Sequence, residues 1–240
     1  SLIWIAIIGL GVLVYTILDG FDLGIGLLFP FFPHQDERDV MMNTVAPVWD
    51  GNETWMVLGG AGLFAAFPLA YSTVLSALYM PIILMVIALI FRGVAFEFRF
   101  KANRSKHWWD KAFIGGSVLT SFLQGMILGA YIQGIETRNG VYVGGGLDWL
   151  SPFSIFTGIS VVVLYAALGC GWLIYKTGDD LQDRMFKLMP KLIIALLIIL
   201  AGVSIYTPLT HPQIAERWFS QPQLTYFMPV PILVLLFTWL

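Results

Sequence analysis

Apolar residues run in seven long blocks, at 2–32, 54–71, 74–97, 112–134, 153–175, 189–207 and 226–240, with short polar segments between them. A helix rising 1.5 Å per residue needs about 20 such residues to cross the hydrocarbon core of a bilayer. Only helices or closed barrels satisfy their backbone groups there, and blocks of this length indicate helices. The pattern predicts an all-α, polytopic transmembrane helical bundle with seven visible spans. The first block is over-long, so it begins outside the bilayer or tilts. The second and third are separated only by AYSTV at 70–74, just after Pro68. A tight hairpin is expected there, because one uninterrupted helix would be far too long. The last block stops at Leu240 with no polar exit, and the chain does not begin with Met. The sequence therefore reads as trimmed at its C-terminal end, with an eighth span expected in the full chain. No Gly/Ser linker, charge run, low-complexity tract or close repeat divides residues 1–240, which read as a single membrane domain.

Composition agrees. Hydrophobic residues make up 58% of the chain and charged residues 12%, about half the soluble average; the mean hydropathy is +0.80. The net charge of −2 arises from charges clustered by loop and gives no sign of a nucleic-acid partner. The single cysteine, Cys170, rules out a disulfide framework or a thiolate zinc site; it reads as a small core residue. Lys and Arg sort by loop. The odd loops and their flanks hold Arg38, then Arg92, Arg99, Lys101, Arg104, Lys106 and Lys111, then Lys176, Arg184, Lys187 and Lys191. The even loops hold only Arg138 and Arg217. Positive residues favour the cytoplasmic side. Odd loops are thus expected in the cytoplasm, with the N-terminus facing the periplasm.

Against this background two acids stand out. Asp19 and Asp22 lie inside the first apolar block, in DGFDLG. A carboxylate near the middle of a span costs a few kcal/mol even on lenient insertion scales, so such groups face protein, water or a partner. Three residues apart, they share one helix face. Gly20 and Gly24 form a small-xxx-small pair that admits another helix. A proton relay or a buried polar network would suit the pair. So would a plain structural use, one aspartate capping a broken helix and the other pairing with an arginine such as Arg92.

Three further groups carry candidate chemistry. PVWDGNETW at 47–55 opens the second block. Asp50 or Asn52 could cap the new helix, and Glu53 suits the positive end of its dipole. Trp49 and Trp55 suit an interface. FRGVAFEFR at 91–99 ends the third block, and both Arg92 and Glu97 are expected in ion pairs or snorkelling to the headgroups. Gln124, with Gly125 and Gly129 in the fourth block, is expected to hydrogen-bond a neighbouring helix or to line a polar cavity; Gln133 follows. His34, His107 and His211 all fall in loops, so no histidine is placed to ligate haem in mid-membrane. There is no HExxH, CxxC, Walker or GxGxxG motif. The chain is expected to bind neither haem nor metal and to contain no catalytic residue.

LDGFDLGIGLLFPF at 18–31, followed by NTVAPVWDGNETWMVLGGAGLFAAFPLAYSTVLSALYMPIILMVIALIFRGVAFEFR at 43–99, resembles subunit II of bacterial cytochrome bd-type quinol oxidases. FIGG at 113–116 and FLQG at 122–125 agree with its fourth span. The strong similarity covers about the first 130 residues. Beyond them the agreement lies mainly in the pattern of spans, and the short later loops look more like the cyanide-insensitive branch.

The resemblance implies an eight-span protein of two four-helix bundles in the bacterial inner membrane. Its implied partner is a larger subunit I carrying haems b and d, with small single-span subunits and lipid as further neighbours. The implied activity is that of a terminal respiratory oxidase, in which quinol is oxidised, dioxygen is reduced to water and protons are taken from the cytoplasm. Asp50, Asp19 and Asp22 become stations on a proton route to the partner's haem site. Trp49, Asn52, Trp55 and Gln124 become packing residues or contacts to a bound quinone. Two other functions fit the residues alone: a proton-coupled secondary transporter, whose inverted repeat is not evident, and a structural membrane anchor.

Overall fold

The structure, a computed structural model, describes residues 1–210 and 212–239; His211 and Leu240 lie outside them. The helices are α1 (Leu2–Leu28), α2 (Gln35–Asn43), α3 (Trp49–Ala66), α4 (Pro68–Arg99), α5 (Lys106–Gln133), α6 (Pro152–Lys176), α7 (Asp179–Thr210), α8 (Pro212–Phe219), α9 (Gln223–Phe227) and α10 (Pro229–Trp239). Two two-residue strands, β1 (Thr137–Arg138) and β2 (Val141–Tyr142), pair antiparallel in the α5–α6 loop. Among the described residues five helices, α1 and α4 to α7, are long and apolar enough to cross a membrane. The chain is an all-α polytopic membrane protein. The second and last expected spans are shorter: α3 carries Asp50 and Glu53 in its first turns, and the last is broken into α9 and α10.

The chain divides into two compact units, Ser1–Leu192 and Ile193–Leu240. In the first, α1 packs on α3, α5 and α6, α4 packs on α3 and α5, and α5 packs on α6. Glycines set the closest crossings. A Cβ on Gly24 would overlap the Tyr165 carbonyl oxygen of α6, and one on Gly125 would overlap the Thr157 carbonyl oxygen. In the membrane such small residues let backbones approach where the hydrophobic effect cannot draw helices together. The buried apolar centre includes Ile25, Leu28, Phe29, Ala95, Phe113, Cys170 and Leu173. In the second unit α8 and α10 both contact α9.

Three local expectations are corrected. The break between the second and third spans lies at Phe67, not at AYSTV. Phe67 has φ −141° and ψ 63°, and Pro68 starts α4, since a residue before proline is driven out of the helical region. The Ser72 and Thr73 hydroxyls bond back to the Leu69 carbonyl inside α4. Secondly, neither Asp50 nor Asn52 caps α3: the N-cap is Val48, without a side-chain bond. Thirdly, His107 lies in the first turn of α5 rather than in a loop, whereas His34 is the N-cap residue of α2.

Candidate functional site

The site forms where α1, α3 and α4 meet. Asp19 and Asp22 project from one face of an unbroken α1 and are wholly buried. Arg92 of α4, also wholly buried, enters between them. Its Nη1 lies 3.0 Å from Asp19 Oδ1 and 3.3 Å from Glu53 Oε2, and its Nη2 lies 3.9 Å from Asp22 Oδ2. The Asn52 amide donates to Asp22 Oδ2 at 2.8 Å. One guanidinium therefore faces three carboxyl groups. A buried charge is tolerable only when paired and hydrogen-bonded. Here both Asp19 oxygens, Asp22 Oδ1, and Arg92 Nε and Nη2 are buried without a hydrogen bond of good geometry. The cluster has spare acceptors and spare donors at once, which is the condition for water or an extra proton to enter.

Glu53 was expected only to complement the helix dipole. Its side chain is 24% exposed, and it joins Arg92 to a groove of about 440 Å³ on α3 and α4, lined by Trp49, Asp50, Met56, Leu89 and Ile90 among others. Asp50 is exposed in that groove and makes no ion pair with Arg92; Glu53 stands between. Trp49 stacks on Phe96 with ring centroids 4.7 Å apart. Trp55 is half-buried on α3. Glu97 is exposed and lies 3.5 Å from Lys101, just beyond the end of α4.

On the opposite flank of Asp19, Gln124 of α5 bridges two tyrosines. The Tyr165 hydroxyl of α6 donates to Gln124 Oε1 at 2.6 Å, and Gln124 Nε2 donates to the Tyr15 hydroxyl at 2.5 Å. Tyr15 stands one turn before Asp19 on α1. Its spacing of four from Asp19 was the available signal for its role.

A second ionic cluster sits two helical turns further along α4. Buried Arg99 donates to Asp110 at 2.5 Å, to Asp39 at 2.6 Å and to Gln35 at 3.0 Å. Arg38 adds a bond to Asp110, and Lys106 one to Asp39. Burial alone would raise the Asp39 carboxyl. Hydrogen bonds from Lys106 and Arg99, together with their charge, outweigh it and hold the group below its ordinary value. The cluster ties α2, α4 and the start of α5 together.

Among the described residues no group of three or more His, Cys, Asp or Glu side chains is arranged to hold a metal ion. His34 and His107 are exposed at helix starts.

Comparison with known proteins then decides the family. The model of the cytochrome bd terminal oxidase subunit II family matches residues 1–240. The chain belongs to that family. It is similar to cytochrome bd ubiquinol oxidase subunit 2 of Bacillus subtilis (strain 168), 34% identical over 195 residues, covering 79% of this chain and 57% of that protein. It is also similar to the probable cytochrome oxidase subunit 2 of Haemophilus influenzae, 30% identical over 214 residues, covering 85% and 56%. Cytochrome bd-I ubiquinol oxidase subunit 2 of Escherichia coli (strain K12) is 33% identical over 190 residues, covering 76% and 50%. The chain spans little more than half the length of the curated relatives it matches. As a subunit II chain of the bd oxidase family, with five apolar helices of spanning length among the described residues, it is a multi-pass membrane protein.

Proposed function

We propose that this chain is the haem-free subunit of a quinol:oxygen oxidoreductase in the bacterial inner membrane. It supports a larger subunit that carries haems b and d, and it lines part of the route that brings protons from the cytoplasm. The N-terminus faces the periplasm and the segments around Arg38 and Arg99 face the cytoplasm, as the distribution of Lys and Arg favours. The chain holds no catalytic residue. Quinol oxidation and oxygen reduction belong to the partner.

One observation carries the proton reading: Glu53 has one oxygen 3.3 Å from buried Arg92 and part of its surface in the groove that also holds Asp50. A proton reaching Asp50 has Glu53 as its next acceptor, three residues on along α3. Asp22 and Asp19 follow around the guanidinium. Arg92 stays charged throughout and stabilises whichever carboxylate has lost its proton. The acceptors left open at Asp19 and Asp22 give water or a proton somewhere to sit. The apolar part of the groove, with Trp49 at its edge, suits the partner subunit's helices or a quinone tail.

The reading is tested in the purified complex. Asp50→Asn and Glu53→Gln remove a proton carrier with little change of shape. Each is expected to slow oxygen reduction while leaving haem spectra and subunit assembly intact. Turnover of both at the wild-type rate, with intact spectra, would exclude the proton route. A full-length chain that purifies without any haem-bearing subunit would point to a transporter instead.

A further inference from the structure

The chain Tyr165–Gln124–Tyr15 ends one helical turn from Asp19, which among the described residues is the one carboxylate with both oxygens buried and without a good hydrogen bond. Its geometry has a direction. Tyr165 donates its hydroxyl proton to Gln124 Oε1, and Gln124 uses Nε2 to donate to the Tyr15 oxygen. The Tyr15 oxygen is thus an acceptor in this bond, and its own proton is free for another group. Asp19 lies one turn further along α1, on the same buried face as Tyr15. Asp19 is wholly buried, and both its oxygens lack a well-formed bond. Each bond accepted by a hydroxyl makes it a better donor to the next group.

We propose that Tyr165, Gln124 and Tyr15 form a one-way donor chain that keeps Asp19 the fixed carboxylate partner of Arg92. The three are positioning residues. The chain orients protons and does not conduct them. A carboxamide can pass a proton along only through its imidic acid form, so Gln124 interrupts any relay between the two phenols. With Asp19 held by Tyr15 on one side and by Arg92 Nη1 at 3.0 Å on the other, proton exchange at the cluster falls to Asp22 and Glu53. Asp22 keeps Oδ1 open beside its bond from Asn52, and Glu53 reaches the groove. This division of labour rests on the proton-route reading above; the donor chain and the state of Asp19 do not. The opposite orientation of the Gln124 amide makes the opposite statement. Tyr15 would then donate to Gln124, and no hydroxyl proton would face Asp19.

Infrared difference spectra of the purified oxidase complex containing this subunit distinguish the two. The probe is the carbonyl stretch of a protonated carboxylic acid, which a carboxylate lacks. In the wild type, Asp19→Asn is expected to remove no such band. Tyr15→Phe and Gln124→Leu are each expected to create one, and combining either with Asp19→Asn should abolish it. A change acting only on packing would alter yield or turnover without producing this band. A wild-type band lost in Asp19→Asn would overturn the proposal, as would a Tyr15→Phe complex with no new band. Should Asp19→Asn not assemble, the band in Tyr15→Phe is assigned in an Asp22→Asn background. Carbon-13 aspartate must shift it there, and an unshifted band would also overturn the proposal. Wild-type turnover of Asp50→Asn and Glu53→Gln would remove the proton-route reading and leave the assignment of Asp19 standing.

Discussion

Arg92 Nη1 lies 3.0 Å from Asp19 Oδ1, with neither side chain exposed. The pair ties the end of the third expected span to the first. Removing one member of a buried pair leaves the other charged and unsolvated, at a cost of about 3–5 kcal/mol. Arg92 has three acidic neighbours, so its loss is the graver. Arg92→Leu is expected to abolish assembly of the complex. Arg92→Lys is expected to restore part of the yield, because it keeps the charge without the planar fork. Recovery of complex from membranes, with haem content, measures both.

Asn52 donates the hydrogen bond that holds Asp22 Oδ2. Asn52→Leu has a similar volume and no donor. It is expected to lower stability by about 1–3 kcal/mol, the cost of leaving a buried acceptor unmet. Thermal unfolding of the detergent-solubilised complex checks it. Asn52→Asp should be worse, since it adds another acid beside the three around Arg92.

Gly24 sits where α1 and α6 touch backbone to backbone, and an added Cβ would overlap the Tyr165 carbonyl oxygen and crowd Gly169. Overpacking of this kind costs about 1–3 kcal/mol when neighbours can yield, and backbone yields least. Gly24→Ala is therefore expected to destabilise at the top of that range. Gly60→Ala, where a Cβ meets nothing within 4 Å, should be silent. The two midpoints compared in one thermal assay test the close crossing.

The Arg99 cluster predicts an acid limit. Asp39 is held below its ordinary value of 3.8 by Lys106 and Arg99, so the unfolded chain binds its proton more readily than the folded one. The stability this adds is fully present above about pH 4 and is lost as pH falls through the lowered folded value. Midpoints measured from pH 7 downward should drop below pH 4. In Asp39→Asn the midpoint at pH 7 should start lower and the acid-side drop should be smaller. An equal drop in both proteins would remove Asp39 from the account.

The sequence alone was enough for the membrane class and for an acid face on the first helix. Twenty-residue apolar blocks admit few solutions in lipid, and Asp19 and Asp22 three residues apart must share a side. DGFDLG and WDGNETW carried the family as well. The break at Phe67–Pro68 was also within reach, since the steric effect of proline on its predecessor is local. The choice of partners was not. Arg92 could have snorkelled or paired with either aspartate; only the packing of α1 and α4 on the same neighbours, α3 and α5, decided that it meets both, and Glu53 too. Asn52 had a good local use as a cap and gave it up for Asp22, because a buried carboxylate outweighs an exposed helix end. Asp50 and Glu53 are three residues apart on one helix and both line the groove, and tertiary structure alone brought Glu53 to Arg92 as well. Tyr15, Gln124 and Tyr165 are separated by up to 150 positions in the chain. Periodicity describes one helix at a time, whereas a hydrogen-bond chain across three helices is set by how closely the glycines of α1, α5 and α6 let those helices meet.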